Sequence, residues 1–226
     1  AQAQAQIIER FGRSPSYVVS CAGVAPAGSL LTSPVKMFTR AFDINAAANV
    51  VLAQAFLPAM ISNNHGHFMT VASSASYFSL PNLCAYSMSK TAALAFLESL
   101  RAELRAVYKA CRVRTSVVTP TKVRTVLAEG LNEADDDFLM PVLEPIQVAR
   151  TMADTLNSGL SRNISLPLGS ALLPYLRALP EWYRGALRAM GNTDALVTPE
   201  SISRGQQALR GHQSNLDHMK KLGVHS

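Results

Sequence analysis

Four short runs of β-branched and apolar residues alternate with longer helical patterns, and this alternation most narrows the choice of fold. The runs cover residues 16–20, 67–73, 113–118 and 163–167. Strands that alternate with helices pair side by side in a parallel sheet, which helices cover on both faces. The sequence therefore predicts an α/β fold built on a doubly wound parallel sheet.

The segments between these runs carry helix-forming patterns. Residues 46–61 are almost wholly apolar, so we expect that helix to be buried on most of its sides. Residues 85–109 carry an apolar stripe at helical spacing, which predicts contact with the core or with another subunit. Ser33 and Pro34 predict a capped helix start. Further helices are predicted for residues 1–11 and 144–156.

A hydroxyl, a phenol and an ammonium are brought together after the second predicted strand. Tyr86 and Lys90 are four residues apart and share a helix face, while Ser73 ends the strand before them. A neighbouring cation favours the phenolate, so Lys90 is expected to lower the pKa of Tyr86 from its usual value of about 10. Such a tyrosine exchanges a proton with a carbonyl or alcohol oxygen, to which Ser73 can donate a hydrogen bond. A chance surface pair is the alternative, but the strand–loop–helix setting favours the catalytic interpretation.

The spacing of Ser73, Tyr86 and Lys90 resembles that of the short-chain dehydrogenase/reductase superfamily. The stretches NHGHFMTVAS and AYSMSKTAALAF are similar to the branch that holds retinol dehydrogenases and 17-beta-hydroxysteroid dehydrogenases. The resemblance runs from about Ile7 to about Arg188. It implies a Rossmann-like sheet and NAD(P)-dependent oxidation or reduction of a lipophilic alcohol or carbonyl compound.

The resemblance also implies roles for single residues. In the reducing direction Tyr86 would protonate the substrate oxygen and Ser73 would orient it. Lys90 would lower the pKa of the tyrosine and hold the nicotinamide ribose. Asn45 falls where the superfamily carries an asparagine that holds a water connected to the lysine. A purely structural hydrogen-bonding role for Asn45 is the alternative.

The implied contacts with NADP or NAD come from three places in the chain. Residues 20–23 read SCAG where the superfamily usually reads Asn-Asn-Ala-Gly, so both asparagines are replaced. After the third strand Pro120 matches in spacing, whereas Thr121 stands in place of a glycine. The cofactor-binding residues that the resemblance implies are Cys21, Gly23, Tyr86, Lys90, Val123 and Thr125.

A glycine-rich phosphate-binding turn is missing from the 226 residues. Dinucleotide-binding folds hold the pyrophosphate on such a turn at a helix N-terminus. In the superfamily this turn lies before the segment that matches Ile7. We therefore expect a sheet without its first strands. Two functions stay open: the catalytic part of an oxidoreductase, or a truncated non-catalytic relative that acts as a binding or interaction protein.

Residues 1–191 are predicted to form the catalytic part of one domain, and residues 192–226 a polar C-terminal tail that is mobile or an exposed helix. Residues 127–140 are acidic and small and predict an irregular surface segment. Residues 169–190 combine Trp182 with tyrosines, leucines and arginines. We interpret this last segment as a lid over a lipophilic substrate, a membrane-surface helix or a helix packed on the domain.

Composition limits the partners and the compartment. The net charge of +6 comes without a basic run that is interleaved with aromatics, so we expect no nucleic acid. It fits a phosphate-bearing cofactor or a membrane surface, which makes peripheral membrane contact an open alternative. His65 and His67 have no third ligand nearby, so we expect no metal site. The expected partners are a small lipophilic substrate and further copies of the chain.

Three cysteines without a C-x-x-C motif indicate a reduced, intracellular setting, either cytoplasmic or at the surface of the endoplasmic reticulum or of lipid droplets. No signal peptide or membrane-spanning run is predicted.

Overall fold

The computed structural model of the chain describes residues 2–128, 141–190, 197–204 and 207. The strands of these residues are β1 Tyr17–Ser20, β2 Gly66–Val71, β3 Val113–Pro120 and β4 Asn163–Leu166. The α-helices are α1 Gln2–Phe11, α2 Val35–Phe42, α3 Ala48–Ser62, α4 Cys84–Ala106, α5 Pro145–Ser158, α6 Leu173–Leu176 and α7 Glu181–Met190. A π-helical segment, Asp43–Ala47, joins α2 to α3, and 3-10 helices cover Ser74–Ser76, Val126–Ala128 and Leu168–Leu172.

The strands form one parallel sheet in the order β1-β2-β3-β4. In register, Ser20 of β1 lies beside Thr70 of β2, which lies beside Val117 of β3. Each connection returns through a helix, as parallel pairing requires. The predicted α/β fold is confirmed, and the carboxyl ends of the strands meet at one edge of the sheet, where open sheets of this kind bind ligands.

Helices cover both faces of the two central strands. On one face Phe68 packs with residues of α3 and α4, among them Phe56 and Leu97. On the other face Met69 packs with Val148 of α5. Neighbouring residues of β2 therefore point into different cores, which explains why this strand reads as a continuous apolar run.

The outer strand β1 is covered less well. Val18 and Ser20 are buried, but Tyr17 is 54% exposed and Val19 is 40% exposed. Among the described residues no strand pairs with the outer edge of β1. The edge therefore offers unpaired backbone groups and apolar side chains, features that proteins usually cover or interrupt.

The helix from residue 35 to residue 62 departs from two predictions. Val50 and Val51 are 40% and 63% exposed, so the prediction of burial on most sides is wrong. Packing covers one side of the helix, where Phe56 and Met60 are buried. By length and hydropathy Val35–Ser62 also qualifies as a candidate membrane span, contrary to the prediction that no such run exists. Core helices of globular proteins and signal sequences meet the same criterion, and 39% of the candidate window is buried.

The helix ends described below carry the capping features expected from their sequences, except at the start of α2. Gly12 closes α1 with φ 67°, as predicted, and Gly159 closes α5 with φ 63°. Glu144 and Gln147 form a capping box at the start of α5. At the start of α2, however, the predicted side-chain cap is not made, because Pro34 occupies the N-cap position.

Part of the predicted C-terminal tail packs on the domain. Val197 is 2% exposed and Ser201 is fully buried within the described residues 197–204. The Asn82 side-chain amide donates a 2.9 Å hydrogen bond to the carbonyl of Val197. The prediction of a mobile or exposed tail is therefore wrong for this stretch. The rest of residues 192–226 and most of the predicted acidic segment lie outside the described residues.

Candidate active site

The chain after β2 places the predicted catalytic hydroxyl beside the start of α4. Ser73 lies two residues beyond β2 and caps the 3-10 helix that follows, where its Oγ accepts a 3.1 Å hydrogen bond from the amide of Ala75. Tyr86 lies in the first turn of α4 and Lys90 one turn later. The structure thus places Lys90 one turn after Tyr86 on the helix that follows Ser73.

Ser73 and Tyr86 are joined by a side-chain hydrogen bond. Burial raises the pKa of Tyr86, and this hydrogen bond opposes the rise as the smaller effect. The prediction that the neighbouring lysine lowers the pKa of Tyr86 is therefore wrong in direction for the chain by itself. Removal of the phenol from water outweighs its favourable contacts, so Tyr86 carries its proton at neutral pH.

Lys90 is a buried cation, with 4% of its surface exposed. Its Nζ donates a 2.8 Å hydrogen bond to the carbonyl of Val71 at the end of β2. Burial lowers the pKa of Lys90 to about 8, and the charge of Cys21 raises it to a smaller extent. An ammonium has three hydrogens, so the contact with Val71 leaves hydrogens for a ligand.

Asn45 lies in the π-helical segment and is 2% exposed. Its Oδ1 accepts from the amide of Val24, and its Nδ2 donates to the carbonyl of Val24, both at 2.8 Å. Nδ2 also donates to the hydroxyl of Ser89 at 2.8 Å, and that hydroxyl donates to the carbonyl of Tyr86 at 2.8 Å. Both amide hydrogens are thus used by protein atoms, which supports a structural role; the predicted water-holding role stays a prediction.

The loop that leaves β1 closes the site on the side of Lys90. A Cβ atom added to Gly23 would lie 3.1 Å from Oδ1 of Asn45 and 3.2 Å from Nζ of Lys90. Such contacts are tighter than side chains normally make, so the loop approaches the lysine because it has a glycine here. Cys21 and Cys111 are exposed free thiols, and Cys84 is a half-buried free thiol.

The sequence resembles a known family of enzymes over most of the described fold. The family model for short chain dehydrogenases matches residues 1–136. The chain belongs to the short-chain dehydrogenase family.

Similar members of the family act in retinoid and steroid chemistry by their names. Epidermal retinol dehydrogenase 2 of Mus musculus is 35% identical over 62% of this chain and 45% of its own length. Estradiol 17-beta-dehydrogenase 11 of Homo sapiens is 37% identical over 76% of this chain and 56% of its own length. The chain thus spans about half the length of these relatives.

Solved structures of dehydrogenases share the fold. An acetoin dehydrogenase from Salmonella typhimurium superposes with a TM-score of 0.61 at 19% identity, and covers 76% of this chain and 70% of its own. An alcohol dehydrogenase from the archaeon Thermococcus sibiricus, complexed with 5-hydroxy-NADP, gives 0.60 at 20% identity over 73% and 67%. These likenesses confirm the dehydrogenase sheet and helix arrangement.

The remaining residues implied by the family resemblance lie after β3. Val123 forms a backbone bridge with Leu143 and packs on the core beside Met69. Thr125 is exposed, and its hydroxyl donates to the carbonyl of Val123 at 3.3 Å. Their contact with a nicotinamide carboxamide stays a prediction.

Sequence reasoning missed three polar residues that support the site. Asn49, 2% exposed, donates to the carbonyls of Asn45 and Ala46 in the π-helical segment. Ser89 links Asn45 to α4. Asn82, at φ 59°, ties the loop before α4 to the C-terminal stretch. An asparagine in the otherwise largely apolar run AAANVVLAQAF was the signal for Asn49. Ser89 and Asn82 show no pattern in the sequence.

Proposed function

We propose that the protein carries the catalytic part of an NAD(P)-dependent oxidoreductase that interconverts a lipophilic alcohol and its carbonyl compound. The observation that supports this most is the side-chain hydrogen bond between Ser73 and Tyr86 beside the buried ammonium of Lys90. A hydroxyl donor and a proton-carrying phenol then face one substrate oxygen.

The residues present fit the nicotinamide end of a dinucleotide. Gly23 lets the loop after β1 lie against Lys90, at the sheet edge where such folds bind dinucleotides. The remaining ammonium hydrogens of Lys90 suit ribose hydroxyls. Cys21, Val123 and Thr125 complete the proposed contacts. When bound, the cofactor supplies the hydride in reduction and accepts it in oxidation. The residues show no matching cradle for the pyrophosphate, because the sequence lacks a glycine-rich turn.

Tyr86 is suited to act first as an acid. Since burial raises its pKa, the phenol is protonated at neutral pH and can give its proton to a developing alkoxide. Ser73 holds the same oxygen by donating its hydroxyl hydrogen. In oxidation Tyr86 must first lose its proton, and because burial raises its pKa this loss requires a higher pH. The chain's own residues therefore favour reduction near neutral pH and oxidation at higher pH.

The names of the similar retinol and estradiol dehydrogenases support a lipophilic substrate. The free cysteines support an intracellular location, for which we propose the cytoplasm or the surface of the endoplasmic reticulum or of lipid droplets. We also propose that the protein forms homo-oligomers, because three helices expose large apolar side chains. These are Phe42 of α2, Val51 of α3 and Met88 of α4.

Turnover with a matched substrate panel tests the proposal. Purified protein is incubated with NADPH or NADH and with retinal, a 17-ketosteroid and a small polar ketone. We expect loss of the reduced nicotinamide with the lipophilic carbonyls and little with the polar ketone.

A second candidate function is a non-catalytic binding or interaction protein. The edge of β1, which pairs with no further strand among the described residues, favours it. The chain of 226 residues is expected to bind NADPH weakly, because the pyrophosphate lacks its anchor. Titration followed by nicotinamide fluorescence measures this. If no turnover occurs even at NADPH concentrations high enough to offset weak binding, the oxidoreductase proposal fails and the second function stands.

A further inference from the structure

The loop before α4, residues 74–83, is in contact with the C-terminal part of the chain. The guanidinium of Arg188 lies over the ring of Phe78 at 4.9 Å from the ring centroid. Burial raises the pKa of Tyr77, and the positive charge of nearby Arg177 opposes this rise. The segments that follow β4 therefore pack on the loop whose two ends carry the candidate catalytic hydroxyls.

Asn82 makes the most specific of these contacts. Its side-chain amide donates a 2.9 Å hydrogen bond to the carbonyl of Val197, which is 2% exposed. Its own carbonyl accepts a 2.8 Å hydrogen bond from the amide of Gly28, in the loop after β1. Its φ of 59° lies in the left-handed region, which asparagine adopts more readily than most residues. One residue therefore joins three segments: the loop after β1, the start of α4 and the stretch 197–204.

The position of Asn82 along α4 distinguishes two sides of the candidate active site. Lys90 follows Tyr86 by one helical turn and lies against Gly23, where the nicotinamide end of the cofactor is proposed to bind. Asn82 precedes Tyr86 by four residues, before the helix begins. The contact between Asn82 and Val197 therefore lies on the side of Tyr86 that faces away from Lys90 along the helix axis.

We propose that Asn82 is a positioning residue, which holds the stretch 197–204 against the entrance for the carbonyl substrate. This inference rests on the proposed oxidoreductase function. Asn82 acts through the stretch that it holds and takes no part in proton or hydride transfer. Loss of its side-chain hydrogen bond should therefore weaken binding of the carbonyl substrate, while the binding of NADPH and the proton transfer by Tyr86 stay unchanged.

Two variants remove this hydrogen bond and keep the backbone. Asn82→Gly keeps the positive φ and the backbone bond to Gly28, and Asn82→Asp keeps the shape but cannot donate at neutral pH. In both we expect the KM for a lipophilic carbonyl compound to rise about threefold to tenfold, the effect of one hydrogen bond. The kcat, its pH profile and the KM for NADPH should equal those of the wild-type protein.

Asn64→Gly is the matched control. Asn64 also has a positive φ, 45°, and its side-chain oxygen accepts a 3.0 Å hydrogen bond from the amide of Arg112. It lies before β2, at the end of the sheet opposite to the candidate active site. The control therefore loses the same kind of interaction and should keep all kinetic constants of the wild-type protein.

Hydrogen exchange followed by mass spectrometry measures the anchoring itself. The amides of residues 197–204 should exchange faster in Asn82→Gly and Asn82→Asp than in the wild-type protein or in Asn64→Gly, because the stretch has lost a fixed contact. Circular dichroism checks the fold of each variant, and Asn82→Asp alone provides the comparison if Asn82→Gly does not fold.

Several outcomes would overturn the inference. Unchanged exchange of residues 197–204 would show that Asn82 does not hold them. Faster exchange with an unchanged KM for the carbonyl compound would separate the stretch from the entrance. An equal rise of the KM for NADPH, or an altered pH profile, would show that the whole site is disturbed.

Failure of the proposed function has a different signature, because the wild-type protein itself would then show no turnover. In that case equilibrium dialysis with the same carbonyl compound replaces the kinetics. Weaker binding by Asn82→Gly than by Asn64→Gly would still support a positioning role for Asn82. Equal binding by the two variants, or no binding by the wild-type protein, would overturn that role as well.

Discussion

Asn45 and Val24 exchange two hydrogen bonds of 2.8 Å, so that one side-chain amide pairs with the backbone as a strand would. The second hydrogen of the same amide reaches Ser89 of α4, whose hydroxyl bonds the carbonyl of Tyr86. One buried residue therefore fixes the loop after β1 relative to the helix that carries the tyrosine.

Replacement of Asn45 by alanine should destabilise the protein. The amide and carbonyl of Val24 and the hydroxyl of Ser89 would lose their partner, and each unsatisfied buried group costs about 1–3 kcal/mol. Urea denaturation should show a loss of about 2–4 kcal/mol. Asn63→Ala, at the exposed end of α3, is the control and should change stability little. Equal stability of the two variants would contradict the role of Asn45.

Tyr86→Phe removes the proposed proton donor and leaves the ring in place. Turnover should fall by about 10²–10⁴-fold, the usual effect of a general acid or base. Steady-state kinetics with a lipophilic carbonyl substrate measure it. Tyr108→Phe is the control, because Tyr108 is an exposed phenol beyond the end of α4. Near-normal turnover by Tyr86→Phe would contradict the assignment of Tyr86 as the proton donor.

Lys90 should make stability rise with pH in an alkaline window. Its pKa is about 8 in the folded chain, against 10.5 for an ordinary lysine. Between these values the unfolded chain binds more protons, so the free energy of unfolding increases as pH rises. The gain should be on the order of 2 kcal/mol.

Urea titrations from neutral pH to the ordinary lysine pKa compare wild-type protein, Lys90→Met and Lys36→Met. The gain should vanish in Lys90→Met and persist in Lys36→Met, since Lys36 is exposed. The difference between variants is the measure, because the raised pKa of Tyr86 acts in the opposite direction once unfolded tyrosines lose their protons. Parallel pH curves for wild-type protein and Lys90→Met would show that the buried lysine does not titrate in this window.

Gly66→Ala should cost far more stability than Gly159→Ala. Both glycines have positive φ, 155° and 63°. A Cβ on Gly66 would also lie 2.6 Å from Cγ of the buried Met60, whereas the space around Gly159 is open. We expect a loss of about 3 kcal/mol or more for Gly66→Ala and of about 1 kcal/mol for Gly159→Ala. Similar unfolding midpoints for both variants would mean that the side chain of Met60 moves aside at little cost in stability.

The exposed apolar side chains of Phe42, Val51 and Met88 should mediate self-association of the protein. Light scattering at micromolar concentration should show a dimer or tetramer. Val51→Arg should shift the oligomer toward monomer, because a charge would enter an apolar contact. Val107→Arg, at the far end of α4, should leave the oligomeric state unchanged. A monomeric wild-type protein would refute this.

The sequence predicted the four strands to within two residues, because the alternation of strand and helix patterns is local. It also predicted that Ser73 and Tyr86 lie together after β2, since strand order and the following helix place them at one edge of the sheet. It did not predict the support of this site by Asn49 and Ser89. Their roles depend on neighbours distant in sequence, such as Thr70, which donates to Asn49 at 3.2 Å.

Two errors have a common physical origin. The exposed side of α3 was predicted as buried, because an apolar run does not tell how many neighbours surround a helix. The pKa of Tyr86 was predicted to fall, because the sequence shows the nearby lysine but not the depth of burial. Both quantities depend on the packed environment of a residue rather than on its spacing.

The π-helical segment Asp43–Ala47 sets an angular offset between two halves of one helix. Each residue of a regular α-helix turns the chain by about 100°, so the residues before and after an inserted wide turn follow different rotational phases. Asn45 can thereby face the loop after β1 while Phe56 and Met60 keep their direction toward the sheet. The π-helical segment thus fixes the rotation of the residues before it relative to those after it. Deletion or insertion of one residue within the segment would keep the helix but turn Asn45 away from the loop after β1, or Phe56 and Met60 away from the sheet.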